Sequence, residues 1–193
     1  MKMRPLILAS ASPRRRELLA QAGFTFEVRA ADIDETRHAG EQPMDYVRRL
    51  ALEKAQAIAA RNPGAVVLGA DTTVVLEGEV LNKPVDRDDA ERMLRLLSGR
   101  THQVHTGLAV VGGSGHQSHV ETTDVVFRAI AEEELTAYLA SGDPMDKAGA
   151  YGIQGYAARW IPRIEGDYFN VVGLPLAAVV RLLGTVSSEY GER

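Results

Sequence analysis

The sequence predicts an α/β fold, a mixed twisted sheet with flanking helices. Three observations carry this expectation. Short apolar runs of strand length alternate with segments whose apolar residues recur at helical spacing. Two long strand patterns, 101–111 and 119–130, are joined through Gly112-Gly113-Ser114-Gly115, which reads as the turn of a long hairpin. The 193 residues, 45% of them hydrophobic and 25% charged, suit a globular chain with one sizeable core.

Taken in order, Leu6-Ile7-Leu8 is a short buried strand. The helix after it has Ser12 as N-cap, Pro13 at the first helical position and Gly23 as C-terminal stop. Phe24–Val28 reads as a strand leading into the acidic stretch Asp32-Ile33-Asp34-Glu35. Residues Pro43–Ala60 form an amphipathic helix with Tyr46, Val47, Leu50, Ala51, Ala57 and Ile58 on its apolar stripe, ended by Asn62-Pro63-Gly64. Ala65–Ala70 is a buried strand with Asp71 at its C-terminal end. Val74-Val75-Leu76 and Val80-Leu81 flank a hairpin turn at Glu77-Gly78-Glu79. Asp86–Ser98 is a helix closed by Gly99, Glu132–Ala140 a helix closed by Gly142, and Pro175–Leu183 a closing helix. Residues 143–173 are mixed, rich in glycine and aromatics, and 187–193 read as a frayed tail after a single domain spanning 1–186.

Composition excludes several classes. With 22 basic and 26 acidic residues the net charge is −4, which argues against a binder of nucleic-acid polymers. No cysteine is present, so disulfides, thiolate metal sites and a cysteine nucleophile are excluded. The apolar stretch after Pro5 is too short for a signal peptide, and no run approaches the roughly 20 residues that cross a bilayer. The expectation is a cytoplasmic protein with no membrane partner.

Chemistry concentrates first at Ser10-Ala11-Ser12-Pro13-Arg14-Arg15-Arg16. Three arginines in the first turn of a helix oppose its dipole, at roughly 0.3–1 kcal/mol per exposed charge. An anion held by free backbone N–H groups, the Ser10 and Ser12 hydroxyls and guanidinium forks reverses that sign, and a polyphosphate fits. The other reading is a surface helix with poorly placed arginines. Asp71 is either a general base or cation ligand at a strand end, or a turn-capping carboxylate. Glu35 is a second carboxylate or a solvated loop residue; Lys54 is a surface lysine or a ligand cation; Lys83, before Pro84, reaches a phosphate or lies in a solvated turn. In Ala148-Gly149-Ala150-Tyr151-Gly152-Ile153-Gln154-Gly155 the small residues let backbone approach a ligand closely, and the Gln154 amide offers a donor and an acceptor that match the O4/N3–H edge of uracil or thymine. His102 with His105 and His116 with His119 are three apart in strands, where such residues face opposite sides, so they form no metal pair. Gly112–Gly115 lacks the Gly-Lys-Ser/Thr of a Walker loop, no nucleophile elbow is present, and Trp160 and Tyr156 read as packing residues.

Ser10-Ala11-Ser12-Pro13-Arg14-Arg15, Asp34-Glu35, Glu53-Lys54-Ala55, Gly69-Ala70-Asp71-Thr72, Asn82-Lys83-Pro84, Leu97-Ser98-Gly99-Arg100-Thr101-His102, the segment Asp146–Gly155 and Asn170–Pro175 together resemble the Maf family, in order and over nearly the whole chain. The resemblance implies an ITPase-like mixed α/β fold, elongated and two-lobed. It implies a nucleoside triphosphate pyrophosphatase that cleaves between the α- and β-phosphates with a divalent cation, Mg²⁺ or Mn²⁺. Associated roles are clearance of noncanonical nucleotides and arrest of septum formation, and a homodimer is suggested. The family's proton acceptor falls on Asp71. Its substrate-selecting positions fall on Arg14, Thr72 and Gln154, with the residue types of the dTTP/UTP group; the group preferring 7-methyl-GTP has tryptophan where Arg14 stands. Ser10, Arg15, Glu35, Lys54 and Lys83 match further pocket positions.

From this follows a scheme in which Arg14 and Arg15 dock phosphates and Glu35 and Asp71 place the metal. Asp71 deprotonates the attacking water, Lys54 and Lys83 steady the leaving pyrophosphate, and Gln154 and Thr72 read the base. Two other readings stand beside it: a nucleotide-binding regulator of cell division with little turnover, and a pyrophosphatase for another nucleotide such as 7-methyl-GTP.

Overall fold

The computed structural model describes residues 4–113 and 115–186; the expected tail 187–193 and the turn residue Ser114 lie outside the described residues. The elements run β1 (Leu6–Ala9), α1 (Pro13–Gln21), β2 (Glu27–Val28), α2 (Pro43–Ala59), β3 (Val66–Leu76), β4 (Glu79–Leu81), α3 (Arg87–Leu97), β5 (Thr101–Gly112), β6 (Gly115–Val126), α4 (Glu132–Ala140), β7 (Arg163–Glu165), α5 (Tyr168–Val172) and α6 (Leu176–Val186). Among the described residues the strands form one mixed sheet in the order β2-β1-β3-β5-β6-β7, with β4 paired to β3. The chain forms two compact units. The first holds the described residues up to Asp71, Thr106–Glu121 and those from Gly173 on; the second holds Thr72–His105 and Thr122–Val172.

In the first unit, β1 is the middle of a parallel set, with Ile7 opposite Glu27 on β2 and Leu6 to Ala9 opposite Val66 to Gly69 on β3. All four β1 residues are buried, as a strand covered on both faces requires. The first helix begins as the sequence dictates: Ser12 Oγ accepts from the Arg15 N–H at 3.4 Å, Pro13 occupies the first turn and Gly23 has φ +84°. The Phe24 N–H still donates to Leu19 at the helix end, so the expected strand 24–28 shrinks to Glu27–Val28.

The second helix lies on the sheet through small residues. Ala51, Ala55 and Ile58 pack with Ile7, Ala9, Val67 and Ala109. Two strand glycines make the approach possible. A Cβ on Gly69 would stand 2.1 Å from the Ala51 carbonyl oxygen, and one on Gly107 would stand 2.2 Å from that of Val47. Both neighbours are helix backbone, which has no rotamer to turn aside. Of the expected apolar stripe, Tyr46, Val47, Leu50, Ala51 and Ile58 are buried; Ala57 is half-buried, and Lys54 is buried with Ala55.

Two further expectations are corrected, at the third and the sixth strand. The third strand does not stop before Asp71. It continues through Thr72 and Thr73 to Leu76, and its partner changes from parallel β1 at 66–69 to antiparallel β4 at 74–76. The β-branched threonines favour extended backbone, so the strand persists where the sequence reading placed a strand end. Asp71 nonetheless lies two residues beyond Gly69, the last β3 residue paired with β1. The hairpin to β4 forms as expected, with positive φ at both Glu77 (+50°) and Gly78 (+87°), as an I′ turn requires. The sixth strand starts at Gly115 and ends at Val126, earlier at both ends than the expected 119–130.

The second unit has an aromatic core. Trp160 is fully buried and meets Tyr138 edge-on at 5.1 Å; Phe127, Tyr151 and His102 form a mutual edge-to-face cluster. Tyr156 stacks on Tyr138 and carries the Arg159 guanidinium over its ring at 3.8 Å. Trp160 and Tyr156 are therefore packing residues, as read. Burial lowers His102 from the ordinary 6.5 to about 3.

Two outcomes follow. Gly107→Ala should destabilise the protein by about 1–3 kcal/mol in urea unfolding, because the new methyl meets backbone. Gly184→Ala, on α6 with open space around it, should instead raise stability by up to about 1 kcal/mol. Second, below pH 6.5 the unfolded imidazole takes up a proton that folded His102 refuses until about pH 3. This side chain therefore withdraws stability as pH falls through that window, by up to about 1.4 kcal/mol per unit. The gap between wild type and His102→Leu should narrow or reverse accordingly across a pH series of melts.

Candidate active site

Of the sequence-predicted residues, the structure brings five together in the first unit: Ser10, Arg15, Glu35, Lys54 and Asp71. Lys54 is the hub. Its Nζ donates to Asp71 Oδ1 at 2.7 Å and pairs with Glu35 Oε1 at 2.9 Å. Lysine and aspartate side chains are 11% and 12% exposed; Glu35 is more than half exposed. Lys54 is thus no surface lysine.

Each member is placed by local structure. Lys54 comes from the α2 face drawn onto the sheet beside Gly69. Asp71 sits on β3, and burial pushes its carboxyl up from the usual aspartate value, against the pull of Lys54 and Arg15. A carboxylate moved toward neutrality and held beside a cation is suited to taking a proton. Glu35 lies in the loop before α2. The Tyr46 hydroxyl donates to its backbone carbonyl at 2.9 Å, and Arg49 donates to the Thr36 carbonyl at 3.1 Å. Arg49 also pairs with Glu41 at 2.7 Å, which holds the Glu41 carboxyl down at about 2. The sequence reading placed Tyr46 on the apolar stripe and did not single out Arg49 or Glu41. Their only signal was the Arg49–Glu53 spacing of a helix-face ion pair, a weak one.

Ser10 follows β1 directly. Its hydroxyl accepts from the Ser12 N–H at 3.2 Å and from Arg15 Nη1 at 3.4 Å. Arg15 also donates from Nε to the Gly173 carbonyl at 2.8 Å and from Nη1 to the Ala70 carbonyl at 3.0 Å. It is therefore anchored on backbone and braces the strand one residue before Asp71, while still contributing positive charge. Arg14 is half-buried in the same turn, and no acidic side chain stands in that turn to offset the arginines.

In the second unit Thr72 is half-buried on β3, next in the chain to Asp71; Lys83 and Gln154 are both exposed. Thr73 Oγ1 donates to Asn82 Oδ1 at 2.9 Å, and the Asn82 carbonyl accepts from Gly149 N–H at 3.2 Å. The Asn-Lys-Pro turn is so joined to the glycine-rich segment. His102 Nε2 and the Tyr151 hydroxyl are 2.7 Å apart, while His105 Nδ1 meets Thr122 Oγ1 at 2.8 Å. These histidines bond different partners, and among the described residues no group of three or more His, Cys, Asp or Glu is placed to hold a metal. Among the described residues His102 Nδ1, which is buried, finds no hydrogen-bond partner, a burden on stability of about 1–3 kcal/mol.

Among the described residues, Glu35 and Asp71 are the two carboxylates that pair with Lys54. Two carboxylates are as many protein ligands as a magnesium-like ion needs when substrate phosphates and waters complete its shell.

Fold and site define a class: a mixed α/β protein whose buried aspartate stands between two cations near an arginine-bearing helix start. The model of the Maf-like protein family matches residues 5–186, and the chain belongs to that family. It is 54% identical over 178 residues to a protein of Koribacter versatilis, 92% of each chain, and 56% identical over 178 residues to one of Myxococcus xanthus, 92% of this chain and 90% of that one. It is 55% identical over 181 residues to a protein of Symbiobacterium thermophilum, 94% of this chain and 93% of the other. All three relatives are named dTTP/UTP pyrophosphatase. Among the described residues no helix is long and apolar enough to cross a membrane.

Lys54→Met should lower stability by about 3–5 kcal/mol, since it leaves the buried Asp71 carboxylate without its cation. The double variant Lys54→Met/Asp71→Asn should recover part of that loss, measured as a coupling energy in denaturant unfolding.

Proposed function

We propose that this protein hydrolyses the nucleoside triphosphates dTTP and UTP to the monophosphate and pyrophosphate. The observation that carries the reading is the buried Lys54–Asp71 pair with Glu35 on the same lysine. In a chain more than half identical to proteins named for this activity, it supplies a base and a place for a cation.

Asp71 takes the proton of a water that attacks the α-phosphorus in line; the bond from that phosphorus to the bridging oxygen breaks, and pyrophosphate departs. The elevated pKa that burial confers on Asp71 makes it a better proton acceptor than a solvated aspartate. Glu35 and Asp71 would hold Mg²⁺ or Mn²⁺ jointly with phosphate oxygens, and the ion supplies charge neutralisation on the triphosphate. The start of α1, with Arg14, Arg15 and the Ser10 and Ser12 hydroxyls, binds phosphate oxygens, and Lys54 and Lys83 steady charge on the leaving group. Thr72 and Gln154 select the base, the Gln154 amide matching the O4/N3–H edge of a uracil or thymine ring. The family resemblance extends the proposal to removal of modified nucleotides and to an effect on septum formation.

Purified protein should release pyrophosphate from dTTP and UTP ahead of CTP, GTP, 7-methyl-GTP and ITP, and a chelator should stop it. A lead for 7-methyl-GTP or ITP would remove Arg14, Thr72 and Gln154 from base selection. Asp71→Asn should lower kcat by about 10²–10⁴-fold while nucleotide binding persists. If that variant still affects cell division, the effect does not need turnover, and the regulator reading takes its place.

A further inference from the structure

We infer that the buried His102–Tyr151 hydrogen bond is a positioning contact for the segment that carries Gln154, and through it for selection of the pyrimidine base. The inference rests on the reading above, in which Gln154 meets the base. It assigns a role to His102, which that reading leaves idle.

Gln154 is exposed, so where its amide points depends on the backbone that carries it. That backbone, from Lys147 to Gly155, lies in no strand; two of its residues have positive φ, Gly149 at +67° and Ala150 at +62°. For alanine this is a sparsely populated conformation that persists only where its surroundings enforce it. Ala150 is wholly buried, and a Cβ at Gly149 would stand 2.8 Å from a Val74 methyl, so the surroundings are tight.

Among the ties that hold the segment, three stand out, all within the second unit. The Gly149 N–H donates to the Asn82 carbonyl at 3.2 Å. Lys147 Nζ donates to the Asp143 carbonyl at 2.6 Å, to Asp143 Oδ1 at 3.0 Å and to Asp146 Oδ1 at 2.7 Å; its stem fills the space where a Cβ on Gly152 would stand, 2.8 Å away. The third tie is Tyr151, three residues before Gln154. Its hydroxyl meets His102 Nε2 at 2.7 Å, and its ring stands edge-on to Phe127 at 4.8 Å.

This third tie is the one that packing alone does not explain. His102 is 2% exposed and Tyr151 5%, in a cluster otherwise aromatic and aliphatic. An imidazole there bonds through one nitrogen and buries the other without a partner among the described residues. A leucine at 102 with a phenylalanine at 151 would fill similar volume with no polar atom to satisfy. What the polar pair adds is direction. A hydrogen bond fixes the Tyr151 ring along its axis, where a phenylalanine ring is free to slide, and so fixes the backbone of the Gly152–Gly155 turn.

The test separates stability from selection. Tyr151→Phe, and the double variant His102→Leu/Tyr151→Phe that leaves neither partner unsatisfied, are assayed beside wild type for hydrolysis of UTP and CTP, with melting temperatures recorded. Both variants should lose about tenfold in the ratio of kcat/KM for UTP over CTP, mainly through a raised KM for UTP, although the double variant melts near wild type. In a Gln154→Ala background, Tyr151→Phe should change the ratio no further. A double variant that keeps the wild-type ratio, or effects of Tyr151→Phe and Gln154→Ala that add in full, would overturn the inference and leave the pair purely structural. Wild type that fails to prefer UTP over CTP would instead overturn the proposed function, and this inference with it.

Discussion

The close contact of α2 with the sheet is the constraint on which the first unit depends. Gly69 and Gly107 are each within about 2.2 Å, measured from an imagined Cβ, of helix carbonyls at Ala51 and Val47. Any larger residue at either strand position would force the helix off. Because the helix lies this low, its Lys54 side chain is buried rather than solvated, and the nearest carboxylate, Asp71, is buried with it. Charges at that depth need partners, and each has more than one: Lys54 pairs with both Asp71 and Glu35, and Asp71 also feels Arg15. The same geometry gives Asp71 an environment in which desolvation and neighbouring cations pull its pKa in opposite directions. Backbone packing thus becomes chemistry in one step, through a lysine stem crossing from helix to strand.

The second unit solves a different problem, how to hold an irregular glycine-rich segment still. Residues 147–155 lie in no strand, so their positions are set by other ties within the unit: the Gly149 N–H on the Asn82 backbone carbonyl, the Lys147 ammonium on its two aspartates, and the Tyr151 hydroxyl on His102. Such ties carry a burden. An unpaired imidazole nitrogen is buried, and an alanine is kept at positive φ. A protein optimised for stability alone would remove both features, so their presence marks a place where shape matters more than stability.

Much of this was legible in the sequence, for reasons that are local. Ser12-Pro13 specifies a helix start by an N-cap oxygen and a preset φ, and the structure uses both. Glu77-Gly78 specifies a hairpin by its tolerance of positive φ. Asp71 and Glu35 stood out as carboxylates, although the strand holding Asp71 was read too short, because the antiparallel partner that extends it comes from a later hairpin. Arg15 was read as a phosphate ligand on its helix position. Its anchorage on the Gly173 and Ala70 carbonyls depends on residues 158 and 55 positions away, which no window along the chain can see.

The sequence by itself determined the order of helices and strands as far as α4 and the closing helix, many of their caps and turns, and which residue types were present for phosphate and proton chemistry, while β7 and α5 lie in the stretch it left as mixed. These follow from backbone preferences and hydrophobic period, which act over a few residues. Tertiary structure alone decided that Lys54 is buried and joins Asp71 to Glu35, that Tyr46 and Arg49 hold the Glu35 loop, and that His102 meets Tyr151. Those outcomes depend on how closely two elements can approach and on which distant polar group arrives to satisfy a buried one. Glycines such as Gly69 and Gly107 set that distance, and their effect is felt only when the helix is laid on the sheet.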